Sequence, residues 1–381
     1  MKKITLLILL LVFTTSQAQK TEEITSQKLN ETREITIKLP ASYEKNKNKK
    51  YPLLVLMDGD YLTQPFAGNL AYSSYWDDLP EVIIVGINQN KKNEREMDCQ
   101  SGPESGVPEE KGEKFFDFIG MELVPAMEKK YRVAPFKIIA GHDVTAGFIN
   151  FFLYKDQPLF NAYISFSPVL ATDMETRIPE RLGAMQKPIF YYLATADGDV
   201  ARLKKRIKTL DENIKTLTST TLRYHFDEFV GASHYSLVPN AIPSALYHIF
   251  SSYQPITSAE YQKLVAQKSG YVKYLEDKYA MIENELGVKM TIRFNDFKAI
   301  EAAILKNGAF DELRDLASLA KKNYPKTIIG EYYDALYYEN TGDLKKAIKV
   351  CLNSYNFEEI GGITKDYMLE KAEILKNELS N

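Results

Sequence analysis

The sequence predicts an α/β domain, with a mostly parallel sheet covered by helices on both faces, followed by an all-α helical repeat domain. Three observations carry this. Apolar runs that are short, β-rich and bounded by Gly, Pro or Asp alternate with helical patterns from Arg33 to about Ser252. Strands buried on both faces read in this near-continuous way, and alternation with helices implies a parallel sheet. After Ser252-Tyr-Gln-Pro255 the composition shifts to helix formers rich in tyrosine. Within that region Asn307-Gly308-Ala-Phe310 and Thr341-Gly342-Asp-Leu344 are related by an offset of 34 residues.

The strand runs are Leu53–Met57, Val82–Ile87, Phe136–Ala140, Tyr163–Phe166, Ile189–Leu193 and Leu222–Phe226. Residues 19–32 are polar and are read as a loose segment. Gln100–Lys114 has no apolar periodicity; loops of this length are either lids or surface insertions. In the C-terminal region Leu313 matches Ala347, Ala303 matches Tyr337, and Pro325 closes the first unit. A period of this length, with Gly in a helix–helix turn, resembles tetratricopeptide repeats. The predicted boundaries are 1–18 for a leader, 30–252 for the α/β domain and 258–381 for the helical domain. Tyr332, Tyr333, Tyr337 and Tyr338 share one helix and cannot share one face; core packing is the preferred role, and a protein partner on the repeat is the alternative.

The N-terminus reads as a secretory signal. Lys2-Lys3 precede an apolar core, Ile4–Phe13, and Ser16-Gln17-Ala18 forms a small-x-small cleavage site. The expectation is a periplasmic or secreted protein starting at Gln19, with no membrane span after cleavage. An apolar fraction of 45% and a charged fraction of 26% are ordinary for a globular protein. A net charge of −3 with pI near 6.0 excludes the basic footprint of a nucleic-acid binder. The two cysteines, Cys99 and Cys351, are expected to be unpaired thiols. No Cys-x-x-Cys, His-x-x-x-His or carboxylate cluster has ligand spacing, so no metal and no other cofactor is expected.

Phe136-Lys-Ile-Ile-Ala-Gly-His-Asp-Val-Thr-Ala-Gly147 reads as strand, sharp turn and helix. This resembles the nucleophile elbow of the α/β-hydrolases, Gly-x-Ser-x-Gly, with Gly141 kept, Asp143 in place of the serine and Thr145 in place of the second glycine. The wider sequence resembles the Putative esterase (esterase D-like) family over roughly residues 30–252. The resemblance rests on Arg33–Pro40, Tyr51–Gly59, Leu79–Ile87, the helix Phe115–Tyr131, Leu159–Pro168 and Phe229–Ser236, in that order. Family members include siderophore, feruloyl and acetyl-xylan esterases, and some carry a helical tail. The resemblance implies a small ester or glycan-derived ligand in the pocket.

The same resemblance implies the site residues. His234, in a small-residue loop after the last strand, takes the place of the catalytic base. His142 is expected to point away from the pocket, with His225 and His248 structural. The acid is Asp197 or Asp199; Asp197 is preferred by its place at the strand end, and Asp199 suits a helix N-cap. The backbone N–H of Val144 and the Asp58-Gly59-Asp60 loop take the place of the oxyanion donors. Ser167 and Ser236 are not at an elbow and are set aside. A β-branched Thr145 predicts a relaxed or displaced elbow. Two functional readings follow: a non-catalytic or weakly active esterase homologue that binds a ligand or partner, which is favoured, or an active hydrolase. The second would be a carboxylic-ester hydrolase, or an Asp-nucleophile enzyme of the dehalogenase and epoxide-hydrolase type.

Overall fold

The computed structural model describes residues 20–91 and 93–380. The leader read at 1–18 lies outside the described residues. Two compact units divide at Ile249/Phe250. The first holds one eight-stranded sheet in the order β1-β2-β4-β3-β5-β6-β7-β8. Its strands are β1 (Lys20–Ser26), β2 (Glu31–Lys38), β3 (Tyr51–Leu56), β4 (Ile83–Ile87), β5 (Val133–His142), β6 (Ala162–Phe166), β7 (Ile189–Gly198) and β8 (Leu222–Ser233). β1 and β2 are antiparallel to their neighbours, and β4, β3, β5, β6, β7 and β8 run parallel.

Every apolar run named above lies within a strand or its flank. The segment read as loose does not stay loose: Lys20–Ser26 pairs along its length with β2, from Lys20↔Ile37 to Ser26↔Glu31. Its polar sequence is that of an edge strand, half-exposed and protected by charge.

The helices of this unit are α1 (Gly59–Tyr75), α2 (Glu94–Asp98), α3 (Lys111–Asp117), α4 (Val124–Lys130), α5 (Val144–Phe148), α6 (Met174–Gly183), α7 (Ala201–Lys215) and α8 (Leu237–Ile249). A π-helical turn, Phe118–Leu123, joins α3 to α4. A continuous core of buried Ile, Leu, Val and Phe fills the space between sheet and helices. Strand order reverses at β3, with β4 on one side and β5 on the other. Ligands of open α/β sheets bind beyond the carboxyl ends of the strands at such a switch point. Asp58 follows β3 there and Asp143 follows β5.

The second unit contains α9 (Ser258–Val265), α10 (Tyr271–Leu286), α11 (Phe294–Asn307), α12 (Glu312–Asn323), α13 (Ile329–Asn340), α14 (Leu344–Asn353) and α15 (Lys365–Ser380). The sequence offset has a structural counterpart. Gly308, between α11 and α12, has φ of 67°, and Gly342, between α13 and α14, has φ of 84°. Such backbone angles favour glycine. Tyr332 and Tyr333 are buried, while Tyr337 and Tyr338 are half-buried. Among the described residues no helix is long and apolar enough to cross a membrane.

Candidate active site

Asp143 connects β5 to α5 at φ 64° and ψ −120°. A non-glycine residue there is strained, and such strain persists only where the surroundings fix it. Three backbone bonds do so: Asp143 N–H donates to Phe166 O at 3.0 Å, and Asp143 O accepts from Gly147 N–H at 3.1 Å and Val169 N–H at 2.9 Å. The close approaches fall on two glycines. A Cβ on Gly141 would meet the Thr145 backbone at 2.7 Å, and one on Gly147 would meet Val169 O at 1.9 Å.

The elbow is therefore tight, against the expectation drawn from Thr145. That expectation weighed the β-branch and not the hydroxyl. Thr145 Oγ1 accepts from His142 N–H at 2.9 Å and donates to Asp58 Oδ2 at 2.5 Å, with His142 O a second acceptor at 2.9 Å. The fully buried threonine thus stitches the elbow to the loop after β3.

Arg95, from α2, is the central residue that sequence reasoning missed. Its Nε donates to Asp58 Oδ1 at 2.6 Å, its Nη2 to His142 O at 2.7 Å and its Nη1 to Asp143 Oδ2 at 3.2 Å. Asp58 is fully buried, so this charge has its partner where an unpaired carboxylate would be costly. Behind it Gln89 takes Asp58 N–H at 3.2 Å and donates to Asp98 at 3.0 Å, and Asp98 forms a buried two-pronged pair with Arg33 at 2.7 and 3.0 Å. Burial pushes the Asp98 carboxyl above its usual range, with Arg33 opposing.

His234 follows β8, and its Nδ1 lies 2.8 Å from Asp199 Oδ1. The acid preferred from sequence, Asp197, is not in the cluster. Its carboxylate turns to the N–H groups of Gly198 at 2.8 Å and Gly231 at 2.9 Å. The cause is a register shift in the β7–β8 pair between Ala196 and Gly198, which sends Asp197 outward and Asp199 back inward. Ser167 Oγ donates to Asp199 Oδ2 at 2.6 Å and lies 3.1 Å from His234 Nδ1, and Thr195 Oγ1 donates to the same carboxylate at 2.8 Å. Burial would raise the Asp199 carboxyl, but these bonds and that from Val200 N–H outweigh it and hold it below the usual range. Ser167, set aside as a nucleophile, sits on the Nδ1 side of the ring and braces the acid.

The opposite nitrogen, His234 Nε2, is 3.9 Å from Asp143 Oδ1. That is ion-pair range and too long for a hydrogen bond. His142 does not point away from the pocket, as the sequence suggested. Its ring lies 4.6 Å from that of His234, its Nε2 is 3.1 Å from His234 O, and its Nδ1 is 3.2 Å from Tyr61 Oη. A carbonyl can only accept, so Nε2 carries the proton and Nδ1 accepts from Tyr61. Burial and the facing His234 push the His142 imidazole down to about 4.

Gly59 and Asp60 open α1 and Val144 opens α5, so all three stand at helix starts, where the first N–H groups have no intrahelical partner. The Asp60 carboxylate is used elsewhere, taking Gln89 N–H at 2.7 Å and Asn90 N–H at 3.2 Å. A cleft of about 480 Å³ opens over these groups, lined by Tyr61, Arg95, His142, Asp143, His234 and Tyr235, with Pro65, Val238 and Pro239 as its apolar sides. Gln100–Lys114 does not line it. That loop is pinned by Thr172 to Pro103 O and by Arg177 to Ser105 O, at 2.8 and 2.7 Å. Among the described residues no group of three or more His, Cys, Asp or Glu is placed to hold a metal ion.

Residues 26–209 match the family Putative esterase. The chain is 28% identical over 171 residues to the ferri-bacillibactin esterase BesA of Bacillus subtilis, a match covering 42% of this chain and 56% of that relative. The chain thus spans little more than half of BesA. An uncharacterised protein from Capnocytophaga ochracea superposes with a TM-score of 0.84 at 29% identity, over 94% of this chain and 100% of its own. An IroE-like serine hydrolase from Shewanella oneidensis shares the fold with a TM-score of 0.60 at 21% identity, over 80% of this chain and 99% of its own. The mostly parallel sheet, the elbow and the family match over residues 26–209 together give the first unit an esterase-like α/β-hydrolase fold, and a helical C-terminal region follows it in the chain.

Proposed function

We propose that this chain is an exported esterase homologue that has lost serine-nucleophile hydrolysis and binds a ligand in the cleft around Asp143. The observation that carries the reading is the Asp143 carboxylate, held at the elbow with Oδ2 on Arg95 Nη1 at 3.2 Å. A carboxylate attacking an ester gives an anhydride, which gains nothing over direct hydrolysis. It also sets a negative charge where an oxyanion would develop, opposing a stabilisation usually worth about 3 kcal/mol or more per donor. The remaining apparatus, with Asp199 on His234 Nδ1, then serves as architecture. Export is supported by the Lys2-Lys3, Ile4–Phe13 and Ser16–Ala18 pattern.

The test is turnover of p-nitrophenyl acetate by the mature protein. The expected rate equals that of His234→Ala; a rate that disappears with that substitution would overturn the reading.

A second reading is favoured by the spacing at His234. With Nδ1 on Asp199 and Nε2 at 3.9 Å from Asp143 Oδ1, a water could stand beside the base. Asp143 would then displace a leaving group from an alkyl carbon, and water would hydrolyse the resulting ester. In that case single turnover in H₂¹⁸O places the label in the Asp143 carboxylate. Under the first reading no label enters.

A further inference from the structure

The charges and donors of the cleft are unevenly spent. Arg95 is the cation among the lining side chains, and its guanidinium is committed to acceptors on three residues: Asp58, His142 O and Asp143 Oδ2. Its five N–H donors leave little for an incoming anion. Against that one positive charge stand Asp143, the Asp58 carboxylate behind it, the Asp199 carboxylate behind His234, and Glu96 at the rim. The balance is negative whether or not His234 is protonated.

The unspent group is an acceptor. Asp143 Oδ1 lies 3.9 Å from His234 Nε2 and makes no hydrogen bond among the described residues. Aromatic rings line the same cleft. Tyr235 is largely exposed, with its ring 5.1 Å from His234 and 6.3 Å from His142, and Tyr61 lies 6.1 Å from His142. Pro65, Val238 and Pro239 add apolar wall. A cleft that combines a carboxylate oxygen lacking a donor with aromatic rings and apolar sides is complementary to a cation on a hydrophobic body.

Resting on the reading that serine hydrolysis is lost, we propose that the cleft takes a small organic ammonium, whose charge seats on Oδ1 of Asp143 and whose apolar part lies against Tyr235. The carboxylate in the nucleophile's place thereby becomes the selectivity element. It attracts a cation and repels the carboxylic acids that ester hydrolysis would release.

The experiment titrates the mature protein by NMR with three probes of one shape: benzylamine, which is protonated at neutral pH, benzyl alcohol and benzoate. Benzylammonium is expected to bind at least about tenfold more tightly than either of the others, as a part-desolvated charge contact with ring stacking requires. Asp143→Asn should remove that preference and Tyr235→Ala should weaken all binding by the aromatic body. Equal affinity for the three probes in the wild-type protein would overturn the proposal without any variant having to fold. Ester turnover measured on the same sample separates the two claims. An inactive protein without cation preference refutes this inference alone, whereas His234-dependent turnover refutes the reading beneath it.

Discussion

Thr145→Val isolates what holds the elbow. The two side chains have nearly the same shape, so the substitution removes a hydroxyl from a fully buried site. His142 N–H loses its acceptor at 2.9 Å and Asp58 Oδ2 loses a donor at 2.5 Å. An orphaned buried N–H costs about 1–3 kcal/mol, and a hydrogen bond to a charged group is worth about 1.5–3 kcal/mol. The added methyl returns about 1 kcal/mol, and Asp58 keeps Arg95. These contributions sum to a net loss of about 1.5–5 kcal/mol. For a unit of this size that lowers Tm by roughly 3–20 °C. Thermal unfolding followed by circular dichroism and by Trp76, the single tryptophan and part of the first unit, reads the change. Thr145→Ser keeps the hydroxyl and should cost no more than the lost methyl, about 1 kcal/mol. If Thr145→Val stays within about 0.5 kcal/mol of the wild type, the hydroxyl does not fasten the elbow to Asp58 and the reasoning fails.

Further outcomes follow from the same geometry. Arg95→Met leaves the buried Asp58 without its partner and should destabilise the first unit by about 3–5 kcal/mol, measured by urea unfolding. His142 is held neutral down to about 4 in the folded state, whereas the unfolded imidazole takes a proton below about 6.5. Stability from this group is therefore full above pH 6.5 and declines as pH falls from 6.5 to 4, by up to about 3 kcal/mol. His142→Gln should flatten that slope in a Tm-against-pH series. Glu260, capping α9 and paired with Lys278 at 2.9 Å, is held at about 2. Burial opposes that shift and the hydrogen bonds from Thr257 and Lys278 produce it. Its contribution is present above about pH 4.5 and is lost towards pH 2, so heat unfolding of the second unit should weaken across that window. Cys99 and Cys351 are both free thiols. Non-reducing and reducing mass spectra after denaturing alkylation should both show two modified cysteines.

The parts of the fold that were legible in the sequence are those with continuous apolar runs, because strands β3 to β7 pass through the core; β8, at the sheet edge, was legible from Leu222, Tyr224 and Phe226 alternating with more exposed residues. β1 was not legible, since an edge strand of Lys, Thr and Glu has the composition of a loop. Asp143 and His234 were readable as members of motifs. Asp199 was not separable from Asp197, because the bulge between Ala196 and Gly198 decides which carboxylate turns inward. Arg95 lies in the polar stretch Asn93–Asp98, and its partners Asp58 and Asp143 are 37 and 48 residues away, so no local pattern marks it. Thr145 was misjudged through its volume when its hydroxyl carries the structure. His142 was misplaced for a related reason: its ring is fixed by Tyr61 and by the His234 carbonyl, neither of which is near it in sequence.

The central claim is that an otherwise assembled esterase site is silenced by the carboxylate at Asp143. The most direct measurement is hydrolysis of p-nitrophenyl acetate by Asp143→Ser with Thr145 left in place. The account predicts that this single substitution confers turnover that is absent from the wild-type protein and is abolished again by His234→Ala or Asp199→Ala. Wild-type turnover that disappears on His234→Ala, or an Asp143→Ser variant that folds with His234 held on Asp199 and still fails to release p-nitrophenol, would contradict it.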